Sequence, residues 1–142
     1  MMPVLAFSNP SLKYFKEDKI NPEALKSGMN IKTVTKFLDG KKSTKLTDGR
    51  TSQKLKRNAI DIGNISIREA FVISDNGIIT RLLLILNKKQ GAKFLSNTIK
   101  KYGMPFGEMI DAYAWEINNV IFEIHETEVG YIATYKPKSP PG

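Results

Sequence analysis

"KKYGMPFGEMIDAYAWE", residues 100–116, decides how the chain is divided. The segment before it has helical spacing: Ala92, Leu95, Ile99 and Tyr102 fall at i, i+3, i+7 and i+10, on one face. Asn87 or Gln90 stands near the start of that helix. Gly103 reads as the residue just past its end, because glycine takes the left-handed conformation without a Cβ clash. Pro105 has no amide hydrogen and blocks continuation. The chain therefore turns at Gly103-Met104-Pro105 and runs on toward Trp115, its only tryptophan. Gly103 and Pro105 are a structural joint, not a catalytic loop.

Three short strands follow, "AYAWEI", "NVIFEIHE" and "GYIATYK", separated by Asn118-Asn119 and by Glu126–Val129. Tyr113, Trp115 and Ile117 alternate with Ala112, Ala114 and Glu116, and the other two strands alternate in the same way. That is an antiparallel meander with one face toward a helix and one partly wet. "KPKSPPG" is a terminal tail, 137–142 lying beyond the domain.

Upstream, "AIDIGNISIREAFVIS" is rich in β-branched residues and reads as strand, with Gly63-Asn64 as a break. Asp75-Asn76-Gly77 is a strong hairpin signal, since Asn-Gly accepts the positive φ angles of a tight turn. "IITRLLLIL" is the returning strand, and its unbroken apolar run predicts a central strand covered on both faces. Pro22–Lys26 reads as a helical turn opened by proline and closed by Ser27-Gly28. In "GMNIKTVTKFLDGKK" the residues Ile31, Val34, Phe37 and Leu38 share one face of a short helix, capped by Asn30 and ended by Gly40. Residues 41–58 hold seven Lys/Arg and one acid, with only Leu46 and Leu55 strongly apolar. The expectation there is a mobile loop with at most a poorly packed strand.

The 142 residues suffice for one domain with a real core. Residues 1–21 read as an N-terminal arm, and 22–136 as the domain. "MMPVLAFSNPS" fits a terminal arm or first strand, and equally the remnant of an export signal. No apolar run approaches the ~20 residues that span a bilayer. Without cysteine the chain has no disulfide, thiolate metal site, cysteine nucleophile or lipidated N-terminal cysteine, so no lipid anchor.

The net charge of +8 is uneven. Residues 1–57 hold 13 Lys/Arg against 5 acids, while 58–142 hold 9 of each. A basic surface attracts an acidic protein, a nucleic acid or anionic lipid. The basic loop residues are Lys41, Lys42, Lys45, Arg50, Lys54, Lys56 and Arg57. No aromatic residue lies among them, so nucleic-acid binding there would be nonspecific phosphate contact.

No catalytic residue stands out. His125, the lone histidine, has no nucleophile partner by spacing. Glu116, Glu123 and Glu126 read as a solvated strand face rather than an acid–base pair or cation site. "GKKSTK" lacks the first glycine of a phosphate loop. Gly28, Gly40 and Gly77 frame turns. No metal or cofactor is called for.

Two segments carry a family resemblance. "SGMNIKTVTKFLDG" and "LSNTIKKYGMP" followed by "YAWEINNVIFEI" resemble the helix-end and strand motifs of the β-lactamase inhibitor proteins. They are similar too to the small outer-membrane lipoproteins that assist β-barrel assembly. Gly28, Met29, Val34, Leu38 and Gly40 fit the first motif. Asp39 intrudes, and Lys42 replaces its proline. The resemblance covers roughly residues 25–136. It implies an α+β fold of two tandem helix-plus-antiparallel-meander repeats, about 22–87 and 88–136, with helices packed on one antiparallel sheet.

The expected function is non-enzymatic protein binding in the cell envelope, periplasmic or secreted, of inhibitor, immunity or assembly-factor type. The expected partner surface is a sheet face carrying Tyr113, Trp115, Tyr131, Tyr135, Glu123 and His125, with the basic loop steering an acidic partner. The alternative is a nonspecific nucleic-acid or anionic-surface binder using residues 41–57. A third is a small enzyme or ligand carrier with a pocket between helix and sheet near His125 or Glu123.

Overall fold

Two Asn-containing turns set the sheet. Asn76 and Gly77 both take positive φ (52° and 80°), closing a hairpin between Asp75 and Ile78. Asn118 and Asn119 do the same (49° and 66°) between Ile117 and Val120. In a computed structural model, which describes residues 15–16, 19–109 and 112–138, these hairpins belong to one large sheet. Its strands are β3 (Leu38–Lys45), β4 (Thr51–Leu55), β5 (Glu69–Asp75), β6 (Ile78–Asn87), β7 (Gly107–Met109), β8 (Ala112–Ile117), β9 (Val120–Glu126) and β10 (Gly130–Pro137). Every pairing is antiparallel, in the order β3-β4-β5-β6-β10-β9-β8-β7. A separate pair, β1 (Phe15–Lys16) and β2 (Lys19–Ile20), precedes it.

The single α-helix of the described residues, α1 (Lys88–Tyr102), joins β6 to β7. Asn87 caps it, its side chain accepting the Gln90 amide at 2.8 Å. Gly103 ends it at φ 83°, and its carbonyl accepts the Trp115 indole N–H at 3.0 Å. The turn at Gly103 is thus tied to Trp115. The buried side of α1 is Gly91, Phe94 and Thr98, one residue away from the expected face, and Ala92 is exposed. Gly91 explains the rotation, because the Tyr131 ring lies where a Cβ would sit.

The two-repeat architecture of helices on a sheet is not what the chain adopts. Residues 22–87 supply no α-helix. Ile31–Phe37 winds as a 3₁₀ helix, and β3 begins at once at Leu38. Thr33, Val34 and Thr35 give the reason: β-branched residues disfavour the α form. The two threonine hydroxyls also bond back to carbonyls three residues earlier, at 2.7 and 3.0 Å. What remains among the described residues is mostly β, one large antiparallel sheet with one α-helix across it.

Four further expectations change. Residues 41–58 form the hairpin β3–β4 rather than a mobile loop. Ladder hydrogen bonds need no apolar side chains, and Leu55, 0 % exposed, anchors the end. Gly40 lies in the irregular part of β3 rather than ending a helix. The β-branched run from Ala59 to Arg68 is not strand. It wraps over the sheet and inserts Ile60, Ile65 and Ile67 into the core. Finally, β6 is covered on one face only. Ile79, Leu82, Leu84 and Leu86 are buried, while Ile78, Leu83 and Ile85 are half-buried.

The core lies between one sheet face and a layer made of α1, the Ile31–Phe37 helix and the Ile60–Ile67 segment. Ile20 is fully buried and bridges to Ile60, so the folded part begins before Pro22. It also runs on through Lys138. The rest of the expected arm, residues 1–14 and 17–18, and the tail 139–142 lie outside the described residues. No described helix is long and apolar enough to cross a membrane.

Candidate functional site

Strand register sorts the proposed partner surface into two halves that face opposite ways. Tyr113 pairs with Ile124 and Trp115 with Phe122, while Glu123 and His125 pair with Ala114 and Ala112. Tyr131 pairs with Leu86, Tyr135 with Leu82 and with Phe122. Side chains opposite one another share a face. Tyr113, Trp115, Tyr131 and Tyr135 therefore lie on the covered face, and all but the half-buried Tyr113 are core residues. Glu123 and His125 lie on the other face, 3.3 Å apart between Oε1 and Nε2. The aromatic surface rimmed by acids is corrected accordingly: the aromatics hold the core, and the two polar residues belong to a different surface.

That surface is the open face of the sheet. One row across it reads Lys54, Phe71, Leu83, Thr134, Glu123, Ala114. The next reads Glu69, Ile85, Ile132, His125, Ala112. A third runs Ser52, Ile73, Arg81. Phe71, Leu83, Ile85, Ile121 and Ile132 are half-buried, and none of them packs against the core cluster. They form an aliphatic stripe over the middle of the sheet, with charged residues at its margins. Half-buried apolar residues gathered on one face mark an interaction surface.

Arg81 is the polar landmark of this face. Its Nε is buried and unpaired, and the guanidinium has no hydrogen bond or ion pair among the described residues. A guanidinium held against an apolar stripe with its donors unused is suited to a carboxylate from outside. Sequence reasoning missed Arg81 and the stripe because "RLLLIL" reads as one apolar run. Its alternation appears only once the pairing partners are known.

The basic residues follow the β3–β4 hairpin. Lys41, Lys42, Lys45, Lys54, Lys56 and Arg57 are exposed, and Arg50 is half-buried. Arg50 is paired with Asp48, Nε to Oδ2 at 2.7 Å, and this pairing holds the Asp48 carboxyl below its ordinary pKa. Lys54 lies 3.8 Å from Glu69. Lysines along β3, the edge strand, also discourage another chain from adding to that edge. Among the acids, Glu116 pairs with Lys138 at 3.1 Å. Among the described residues no three His, Asp or Glu side chains come close enough to hold a metal ion.

Burial pushes the Tyr135 phenol well above its ordinary pKa of 10.0, with the Glu23 and Tyr102 charges adding to the effect. The native state therefore holds this proton more tightly than the unfolded chain. Its contribution to stability is full below about pH 10 and is lost as pH rises beyond that. Urea titrations between pH 8 and 11.5 are expected to show stability falling above about pH 10, with a shallower fall in Tyr135→Phe. An identical slope in the variant would remove Tyr135 as the cause. Comparison of the chain with protein-family models, with curated proteins and with solved structures gave no match.

Proposed function

We propose that this chain is a non-enzymatic protein-binding module that docks its partner on the open sheet face. The observation that carries the reading is the pairing of an aliphatic stripe with the unpartnered Arg81 on one rigid face. Aliphatic contacts supply the buried area, and Arg81 takes a carboxylate of the partner. Arginine in a desolvated setting is a frequent hot spot. The exposed lysines of the β3–β4 hairpin flank that face and steer the same acidic partner toward it. As an envelope inhibitor, immunity protein or assembly factor the chain would use this one surface.

The test is capture from nuclease-treated extract with the parent protein, Leu83→Asp and Arg81→Glu. A stoichiometric protein held by the parent, and at least roughly tenfold more weakly by both variants, is the expected result. Reversing Lys54, Lys56 and Arg57 to Glu is expected to slow association several-fold at low salt and little at high salt. Recovery of nucleic acid alone, lost on nuclease treatment, would replace this reading with phosphate binding by the hairpin. A protein held equally by Leu83→Asp would move the docking site elsewhere.

A further inference from the structure

A second site lies on the covered side of the sheet, away from the docking face. The turn Pro22–Ala24 is fixed by Asn21, whose side chain accepts the Glu23 amide at 3.1 Å. This turn, the loop Asp61–Asn64 and the Asn97–Tyr102 side of α1 surround a cleft of about 470 Å³. That volume is in the range of small-molecule sites. Its floor is apolar, made by Phe94, Phe122 and Tyr135.

Tyr135 is the unusual member of that floor. The residue is 1 % exposed and lines the cleft, yet its hydroxyl has no hydrogen-bond partner among the described residues. Arg81 Nε is the one fully buried unpaired side-chain polar atom among the described residues, so this hydroxyl is not sealed in the core and opens on the cleft as an unused donor. Beside it the Tyr102 hydroxyl donates to Glu23 Oε1, with Lys101 Nζ 5.0 Å from the centre of the Tyr102 ring. That bond leaves the second oxygen of Glu23 available. The Glu23 carboxylate stands beside the Tyr135 end of the cleft, so an anion is disfavoured at that end.

We propose that this cleft binds a small uncharged or cationic amino-heteroaromatic ligand. The Tyr135 hydroxyl donates to a ring nitrogen or carbonyl, and an amino group beside it donates to the Glu23 carboxylate. The apolar floor receives the ring. Because Tyr135 stays a neutral phenol through the physiological range, it acts as donor throughout.

The experiment is calorimetric titration of the whole chain with adenine and with cytosine, and with benzoate as an anion of similar size. Saturable binding of at least one of the two bases, and none of benzoate, is expected. Tyr135→Phe should weaken that binding roughly tenfold while its thermal midpoint stays at or above the parent's, since the hydroxyl it removes is unpaired. Glu23→Gln, at a half-buried position that can still accept from Tyr102, should weaken it by a similar factor and provides a second variant. The proposal is overturned if neither base binds at millimolar concentration, if benzoate binds as well, or if both variants bind like the parent.

Discussion

Phe122→Ala is expected to remove roughly 3–5 kcal/mol of stability, the range for truncating a fully buried aromatic side chain. Phe122 is 1 % exposed and is the hub of the aromatic core. Its ring stacks on Tyr135 at 4.4 Å and on Trp115 at 5.5 Å, and meets Phe94 of α1 at 5.6 Å. Three strands and the helix therefore share one side chain, and no neighbour can move into the void without leaving another contact. A loss of this size lowers the melting midpoint by about 10 °C or more. Phe71→Ala is the matched control. The residue type is the same, but Phe71 is half-buried on the open face and outside the core cluster, so a loss of about 1 kcal/mol is expected. Urea unfolding of both variants with parallel slopes makes the comparison. Equal losses would mean that the two faces of the sheet are equally packed, and the docking surface would go with them.

Turns and caps were legible in the residues because their causes are local. Asn76-Gly77 permits positive φ, Asn87 offers a capping oxygen, and Gly103 with Pro105 stops a helix wherever they occur. The division of faces was not legible. Alternation in "AYAWEI" and "NVIFEIHE" tells which residues of each strand go together. It does not tell whether Trp115 shares a side with Phe122 or with Glu123. That is fixed by the Asn118-Asn119 turn, which puts Ile117 opposite Val120. Slipping the register by one residue would reverse the answer. The same gap hid Arg81 within an apolar run and made β6 look covered twice. Residues 59–68 failed for a different reason: β-branched residues plug a core from a loop as well as they build a strand. The β3–β4 hairpin failed because its ladder depends on the neighbouring strand, not on its own composition.

Gly130→Ala is the second large effect, with an expected loss of about 3 kcal/mol, at the upper end of overpacking costs. A Cβ on Gly130 would lie 2.2 Å from the Leu86 carbonyl oxygen and 3.3 Å from the Asn87 Cα. Both are backbone atoms, so no rotamer change relieves the contact. β10 and β6 must separate at the end of their ladder, where Gly130 pairs with Asn87. Asn87 is also the cap of α1, worth about 1 kcal/mol by itself, so the strain reaches the first turn of the helix. Gly91→Ala makes an informative contrast. Its Cβ would lie 2.1 Å from the Tyr131 ring and 2.7 Å from the Tyr131 Cβ, which is also too close. Here, however, α1 can ride outward, and alanine in place of glycine within a helix returns about 1 kcal/mol. Gly130→Ala is therefore expected to be the more damaging of the two, and to speed hydrogen exchange at the Gln90 amide that Asn87 caps. The reverse order would mean that the sheet yields at this point more readily than the helix, and that β10 is not held rigidly against β6.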